Sequence, residues 1–267
     1  MEANPLLHCS RVIALANQKG GVGKTTTAVN LATALVAVGQ KVLLIDLDPQ
    51  GNASTGLGIP HAKRVPGTYE VILGTATAKQ ATVASTIPGL SVMPSTVDLS
   101  GAELDLVGME NRAYRLREAL IGEVEPYDYA LIDCPPSLGL LTLNGMVAAD
   151  ALLVPLQCEF YALEGLTHLL RTIERVQASF NPGLEIQGVV LTMFDRRNNL
   201  SGQVESDVRG HLGDKVYETV IPRNVRISEA PSFGIPALLY DHKCPGSRAY
   251  IDLAREVIRR EQNLRAA

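Results

Sequence analysis

A chain of 267 residues, 46% of them apolar, can bury a large core as one domain, and two small domains fit that length less well. Its net charge of −4 has the opposite sign to that of a constitutive DNA binder, so any nucleic-acid contact has to be a local, conditional patch. Four scattered cysteines (Cys9, Cys134, Cys158, Cys244) with no C-x-x-C pair exclude a zinc site or disulfide framework, and with no signal peptide or membrane-length apolar run we expect a soluble, cytoplasmic protein.

Tryptophan is absent and aromatics make up 4%, so the core has to be built from Val, Leu, Ile and Ala. That composition suits a mostly parallel sheet whose central strands are buried on both faces by helices. Residues 1–10 read as a short N-terminal leader with no room for a helix-turn-helix module, and 11–267 as a single α/β domain. The apolar, branched run Arg11-Val-Ile-Ala-Leu-Ala-Asn17 reads as a buried strand, and 24–38, rich in Ala, Leu and Val, as a helix. Between them stands Gln18-Lys19-Gly20-Gly21-Val22-Gly23-Lys24-Thr25-Thr26. Strand, glycine-rich turn and helix form the setting of a phosphate-binding loop, with backbone N–H groups turned inward and the helix N-terminus behind them. In that role Lys24 reaches the β and γ phosphates and the Thr25 hydroxyl ligates Mg²⁺. The standard loop has glycine where Gln18 stands. It has no counterpart to Lys19, which as a lone lysine reads as a solvated surface charge.

Residues 41–46 form the second strand, running into Leu47-Asp48-Pro49-Gln50-Gly51-Asn52. Asp46 closes that strand and Asp48 enters the loop, at the carboxyl edge where open α/β sheets bind ligands. A carboxylate there orients an attacking water or holds the metal's water shell, while an isolated Asp-Pro is a turn initiator. Residues 53–97 read as a short helix and a peripheral strand, and 98–121 as one helix with Leu99, Leu104, Leu106, Tyr114, Leu116 and Leu120 at helical spacing. The strand at 129–133 ends in Asp133, followed by Cys-Pro-Pro-Ser137. This is the Walker B pattern, whose carboxylate holds Mg²⁺, and the turn after it can sense a γ-phosphate. Helix 140–149, strand 151–156, amphipathic helix 161–180, strand 186–193, strand 216–221 and helix 247–260 complete a βαβ alternation. No N-K-x-D occurs, which argues against guanine as the base.

K-G-G-V-G-K-T-T, D-L-D-P-Q-G-N, L-I-D-C-P-P-S-L-G and I-P-R-N-V-R-I-S-E-A-P-S-F-G-I-P together resemble the small chromosomal ParA (Soj) partitioning ATPases of the ParA/MinD superfamily, over residues 11–260. The resemblance implies an ATP-sandwich homodimer that coats double-stranded DNA without sequence preference on the nucleoid, until a ParB-type partner stimulates hydrolysis. It makes Lys19 the lysine that crosses to the partner's nucleotide and Lys24 the phosphate lysine, within a cradle of Gly20, Gly21, Val22, Gly23, Thr25 and Thr26. Thr25 and Asp133 hold Mg²⁺ with Asp46 behind them, Asp48 positions the water, and Pro222 and Asn224 contact adenine. Its DNA surface draws on basic residues of the C-terminal half: Arg196, Arg197, Arg223, Arg226, Lys243 and Arg248. Arg223 and Arg226 rank first because 222–228 carries no acid.

Three cousins fit less well. A MinD-like membrane-positioned ATPase needs an amphipathic C-terminal anchor, whereas 259–267 is polar, so no membrane partner is expected. An electron-transfer ATPase needs cluster cysteines, and Cys134 sits too near the nucleotide. A tyrosine kinase of this superfamily needs a tyrosine-rich tail.

Overall fold

The computed structural model describes residues 10–266. The expected leader, Ser10 apart, lies outside them. Eight strands follow in chain order: β1 (Arg11–Leu15), β2 (Val42–Asp46), β3 (Val83–Ala84), β4 (Leu90–Met93), β5 (Tyr129–Asp133), β6 (Ala151–Gln157), β7 (Glu185–Phe194) and β8 (Val216–Pro222). They form one sheet ordered β3-β4-β2-β5-β1-β6-β7-β8, parallel throughout except for the two-residue edge strand β3 against β4. The mostly parallel sheet expected from the composition is present.

Alternation along each strand divides the core into two layers. Ile13, Leu15, Val42 and Leu44 face the helices α1 (Lys24–Ala37) and α5 (Pro245–Ala266), meeting Leu31, Leu35, Tyr250 and Leu253. Val12, Ala14, Leu43 and Ile45 face α2 (Leu140–Ala148), α3 (Ala162–Ser179) and α4 (Asn199–Leu212), meeting Leu141, Leu169 and Ile173. Side chains of this kind each contribute about 1.5–3 kcal/mol on full burial. The two layers therefore hold β1 rigidly between its neighbours. β1 pairs β5 on one side and β6 on the other, so the loop after it leaves from the switch point of the sheet, where open α/β sheets bind ligands.

Two stretches differ from the sequence expectation. Residues 98–121 do not form one helix. They are cut into a 3₁₀ turn (Val97–Gly101), a helical turn (Ala102–Asp105), a second 3₁₀ turn (Leu106–Gly108) and a helix at Arg115–Leu120. Glycines at 101 and 108 weaken helix propagation, and Asn111 takes a left-handed backbone (φ 56°). Asn144 on α2 then replaces the missing helical bonds, accepting from Leu116 N at 3.2 Å and donating to Arg112 O at 2.8 Å. Leu104, counted as a core position by its spacing, points outward at 80% exposure. Residues 53–97 hold more than the single helix expected, with turns of helix at Asn52–Gly56, Thr68–Leu73 and Ala78–Ala81, while β4 is the peripheral strand.

At Gly188 the fold demands the absence of a side chain. A Cβ there would lie 2.7 Å from the Tyr217 ring and 2.8 Å from the Lys215 carbonyl, beneath the Arg260 guanidinium that covers Tyr217 at 4.2 Å. Gly188→Ala is expected to cost about 1–3 kcal/mol through overpacking. Thermal unfolding should show this as a Tm lower by roughly 3–10 °C.

Candidate nucleotide site

The loop after β1 is built to hold an anion. Gly21 (φ 75°) and Gly23 (φ 87°) adopt the left-handed backbone that glycine tolerates, and a Cβ at Gly20 or Gly21 would meet nothing within 4 Å. The concavity is open toward solvent. α1 starts at Lys24 with no side-chain cap and no acid in its first turn, so its N-terminal N–H groups and positive dipole end face that space. Two bonds pin the loop to the sheet: Asn17 Nδ2 donates to Pro155 O at 2.8 Å, and Thr192 Oγ1 donates to Val22 O at 2.8 Å.

The two loop lysines have different surroundings. Lys24 is buried and turned inward, its Nζ donating to the Lys19 carbonyl at 3.1 Å. Burial lowers its pKa, and Asp133 opposes that shift. Lys19 lies on the rim, half exposed, its ammonium ion-paired with Glu159 just past the end of β6. The two side chains serve different spaces.

Register brings two carboxylates together, because Asp46 on β2 stands opposite Asp133 on β5. Asp46 is engaged: Ser54 Oγ and N donate to it at 2.6 and 2.8 Å, and Asp48 N at 3.3 Å. Burial pushes its pKa up to about 6 against those bonds. Asp133 is fully buried, and neither of its oxygens has a hydrogen-bond partner among the described residues. Burial and the neighbouring Asp46 drive its pKa well up, with the Thr25 hydroxyl and Lys24 working the other way. A buried carboxylate with both oxygens unpartnered is costly unless a cation completes it. The donor set of Thr25 hydroxyl and Asp133 carboxylate, beside an anion cradle, fits Mg²⁺ carried in on a phosphate. Asp48 is buried in the loop after β2, accepting from Gln50 N at 2.9 Å.

Beyond the loop a cavity of about 260 Å³ is lined by Gly23, Thr26, Thr192, Met193, Pro222 and Asn224, among others. Pro222 and Asn224, the expected adenine contacts, thus line a cavity that Gly23 and Thr26 of the loop also line. Asn224 caps the following helical turn with its Oδ1 (Arg226 N, 2.9 Å), which leaves its amide nitrogen free to donate. Thr192, Met193 and Tyr250 were not foreseen. Met193, next to last in β7, has a left-handed backbone (φ 50°) where the pairing with β8 shifts register, and nothing in the sequence marks it apart from its place near a strand's carboxyl end.

Four of the six basic candidates gather. Arg196, Arg197, Arg223 and Arg248 line one surface depression of about 620 Å³, together with Asp195 and Asp252. Arg197 forks onto Asp195 at 3.0 and 2.9 Å, holding that carboxyl at about 2. Arg226 and Lys243 lie outside the depression. The acid-free stretch around Arg226 does not leave it unpaired, since Glu229 at 2.9 Å and Asp241 at 3.7 Å arrive from beyond it. A wider cavity of about 870 Å³ between α3, β7 and α5 touches none of these residues. Cys134, Cys158 and Cys244 are buried and free, and no described group of acids, histidines and cysteines could hold a metal as a cluster.

This fold and this loop define a P-loop nucleotide-binding protein. A family model described as an AAA domain matches residues 10–186. The chromosome partitioning protein ParA of Caulobacter vibrioides is 65% identical over 268 residues, spanning 100% of this chain and 99% of its own. The sporulation initiation inhibitor protein Soj of Bacillus subtilis is 52% identical over 92% of this chain and 98% of its own. Among solved structures, cobyrinic acid a,c-diamide synthase from Mycobacterium smegmatis, with bound ATP analogue and magnesium, superposes with a TM-score of 0.83 at 39% identity, over 95% of this chain and 96% of that one. MinD from Pyrococcus horikoshii, complexed with Mg-ADP, does so at 0.76 and 27%, over 93% and 96%. The chain belongs to the ParA/Soj family of chromosome-partitioning ATPases.

If Asp133 is a cation site, Asp133→Asn should stabilise the ligand-free protein, because it removes a buried carboxyl whose ionisation both burial and Asp46 oppose. Thermal unfolding without Mg²⁺ or nucleotide is expected to show a Tm several degrees higher. The rise that Mg-ATP confers on the wild type should be lost.

Proposed function

We propose that the chain is a Mg²⁺-dependent ATPase that partitions DNA. ATP binding closes a homodimer that grips double-stranded DNA without sequence preference, and a ParB-type partner triggers hydrolysis and release. The observation that carries this reading is a shared wall: Pro222 and Arg223 line both the cavity beside the phosphate loop and the arginine depression. A base held by Pro222 and Asn224 therefore bears directly on the segment that presents Arg223.

The roles follow from position. The N–H groups of 20–26 and the Lys24 ammonium bind the phosphates, and the buried Lys24 delivers its charge at low local dielectric. Mg²⁺, held by Thr25 and Asp133, would offset charge building on the phosphate oxygens. Asp48, two residues beyond Asp46, orients the attacking water. Lys19 serves the partner subunit's nucleotide, from a rim position that its own Lys24 site does not use. Dimerisation then joins two arginine depressions. Each phosphate contact releases counterions, so a paired surface binds far more tightly than a single one, and a chain of net charge −4 acquires DNA affinity only when ATP is bound.

The deciding experiment measures retention on random-sequence duplex DNA with ATP, with ADP and without nucleotide, alongside anionic liposomes. ATP-only retention that falls at least tenfold in Arg223→Ala/Arg248→Ala supports the reading. Binding to liposomes but not DNA transfers the case to a MinD-like membrane role. A second outcome follows from the rim contact. Because Glu159 holds Lys19 within its own subunit, Glu159→Gln should lower the protein concentration at which ATP induces dimers by a few-fold in light scattering, whereas Lys24→Ala should abolish them.

A further inference from the structure

Arg64 is the one arginine buried among the described residues, at 4% exposure, and no described carboxylate lies within ion-pair distance of its guanidinium. Burial lowers its pKa, with Asp46 acting only as a more distant counter-charge. A buried cation in that position is a poor way to stabilise a fold, and an apolar side chain of equal volume is often no worse. What the guanidinium does make is a fork onto one short segment. Its Nε donates to Ile59 O at 2.9 Å, its Nη2 to Thr55 Oγ1 at 3.1 Å and its Nη1 to Gly51 O at 3.4 Å. Thr55 closes the figure by donating to the same Gly51 carbonyl at 2.9 Å. Gly51 is in the left-handed region (φ 60°), and a Cβ on it would meet Arg64 Nη1 and the Ser95 carbonyl, each at 3.0 Å. The segment clamped in this way begins three residues after Asp48. It also carries Ser54, whose two donors hold Asp46.

We infer that Arg64 is a positioning residue for hydrolysis, setting the segment 51–59 so that Asp48 is held where it orients the attacking water. This rests on the proposed role of Asp48. The planar fork accounts for the residue type, because three acceptors at fixed angles suit a guanidinium and not an ammonium or an apolar chain. A side chain misplaced by about 1 Å at a reacting centre costs on the order of 10²-fold in rate, so a clamp remote from the phosphates can still govern turnover.

The test compares Arg64→Met, Arg64→Lys, Thr55→Val and Asp48→Ala, alone and combined, by single-turnover ATP hydrolysis, equilibrium binding of a fluorescent ATP analogue and thermal unfolding. Arg64→Met is expected to slow hydrolysis at least tenfold while leaving nucleotide affinity and Tm close to wild type. Arg64→Lys should fail to rescue it, and Thr55→Val, which leaves the arginine in place, should slow turnover by a smaller factor. Arg64→Met/Asp48→Ala should be no slower than Asp48→Ala alone, a non-additivity that a general loss of structure would not produce. Effects that multiply, or a fall in affinity and Tm proportionate to the lost rate, overturn the inference. If the Arg64 variants do not fold, Thr55→Val with Asp48→Ala decides by the same criterion. An Asp48→Ala protein with unchanged turnover removes the role of Asp48 itself, and with it the route through which Arg64 is argued to act. A slow Asp48→Ala protein beside a fast Arg64→Met one removes only the clamp.

Discussion

The arrangement depends on one parallel ladder. β1, β5 and β2 lie side by side, and their register sets Leu15, Asp133 and Asp46 in a row at the carboxyl edge, under the N-terminus of α1. Both faces of these strands are buried, so the row is held by core packing and the carboxylates have no freedom to turn toward water. The result is a concentration of negative charge in a dry setting, opposite a loop that presents positive dipoles. Neither half is satisfied alone. Asp133 carries both oxygens unpartnered and Lys24 spends its ammonium on a neighbouring carbonyl, so a Mg-phosphate group would complete both at once.

The same edge relates two surfaces. Near the end of β7, Thr192 and Met193 line the cavity beside the loop, and the next four residues, Phe194 to Arg197, line the arginine depression. β8 ends in Pro222, which with the following Arg223 lines both. A backbone bond from Arg223 N to Phe194 O at 3.0 Å ties the two strand ends together. The cavity beside the loop and the basic depression therefore meet across one hydrogen-bonded pair of strand ends. The charge in the depression is mixed. Asp195 pairs with Arg197 through Nε and Nη2, so Arg196, Arg223 and Arg248 are the arginines there with no described ion-pair partner.

The chain order of buried strands and the phosphate loop could be read directly, because both rest on local signals. Period-two burial needs only β-branched and aliphatic runs, and a glycine loop between strand and helix needs only its own residues. The division of 98–121 could not be read in this way. Its leucines repeat at helical spacing, yet Asn144, some thirty residues on, bonds the backbone that a helix would have bonded to itself. Arg226 is paired from both ranges: Glu229 is a local i,i+3 partner at 2.9 Å, whereas Asp241 arrives from another turn, which no local pattern shows. Arg64 drew no notice as one charged residue in a polar loop. Its weight comes from three acceptors brought around it by folding.

By itself the sequence determined that this is a P-loop α/β protein of the ParA/Soj family, where its glycine loop stands between strand and helix, and which carboxylates end their strands. Those properties belong to contiguous residues and to backbone chemistry. Only the tertiary structure decided which carboxylate is left open and which is already engaged, which lysine turns inward, and which arginines share a surface. Each of those depends on the distance between residues far apart in the chain, and a partner contributed from another element does not register in local pattern.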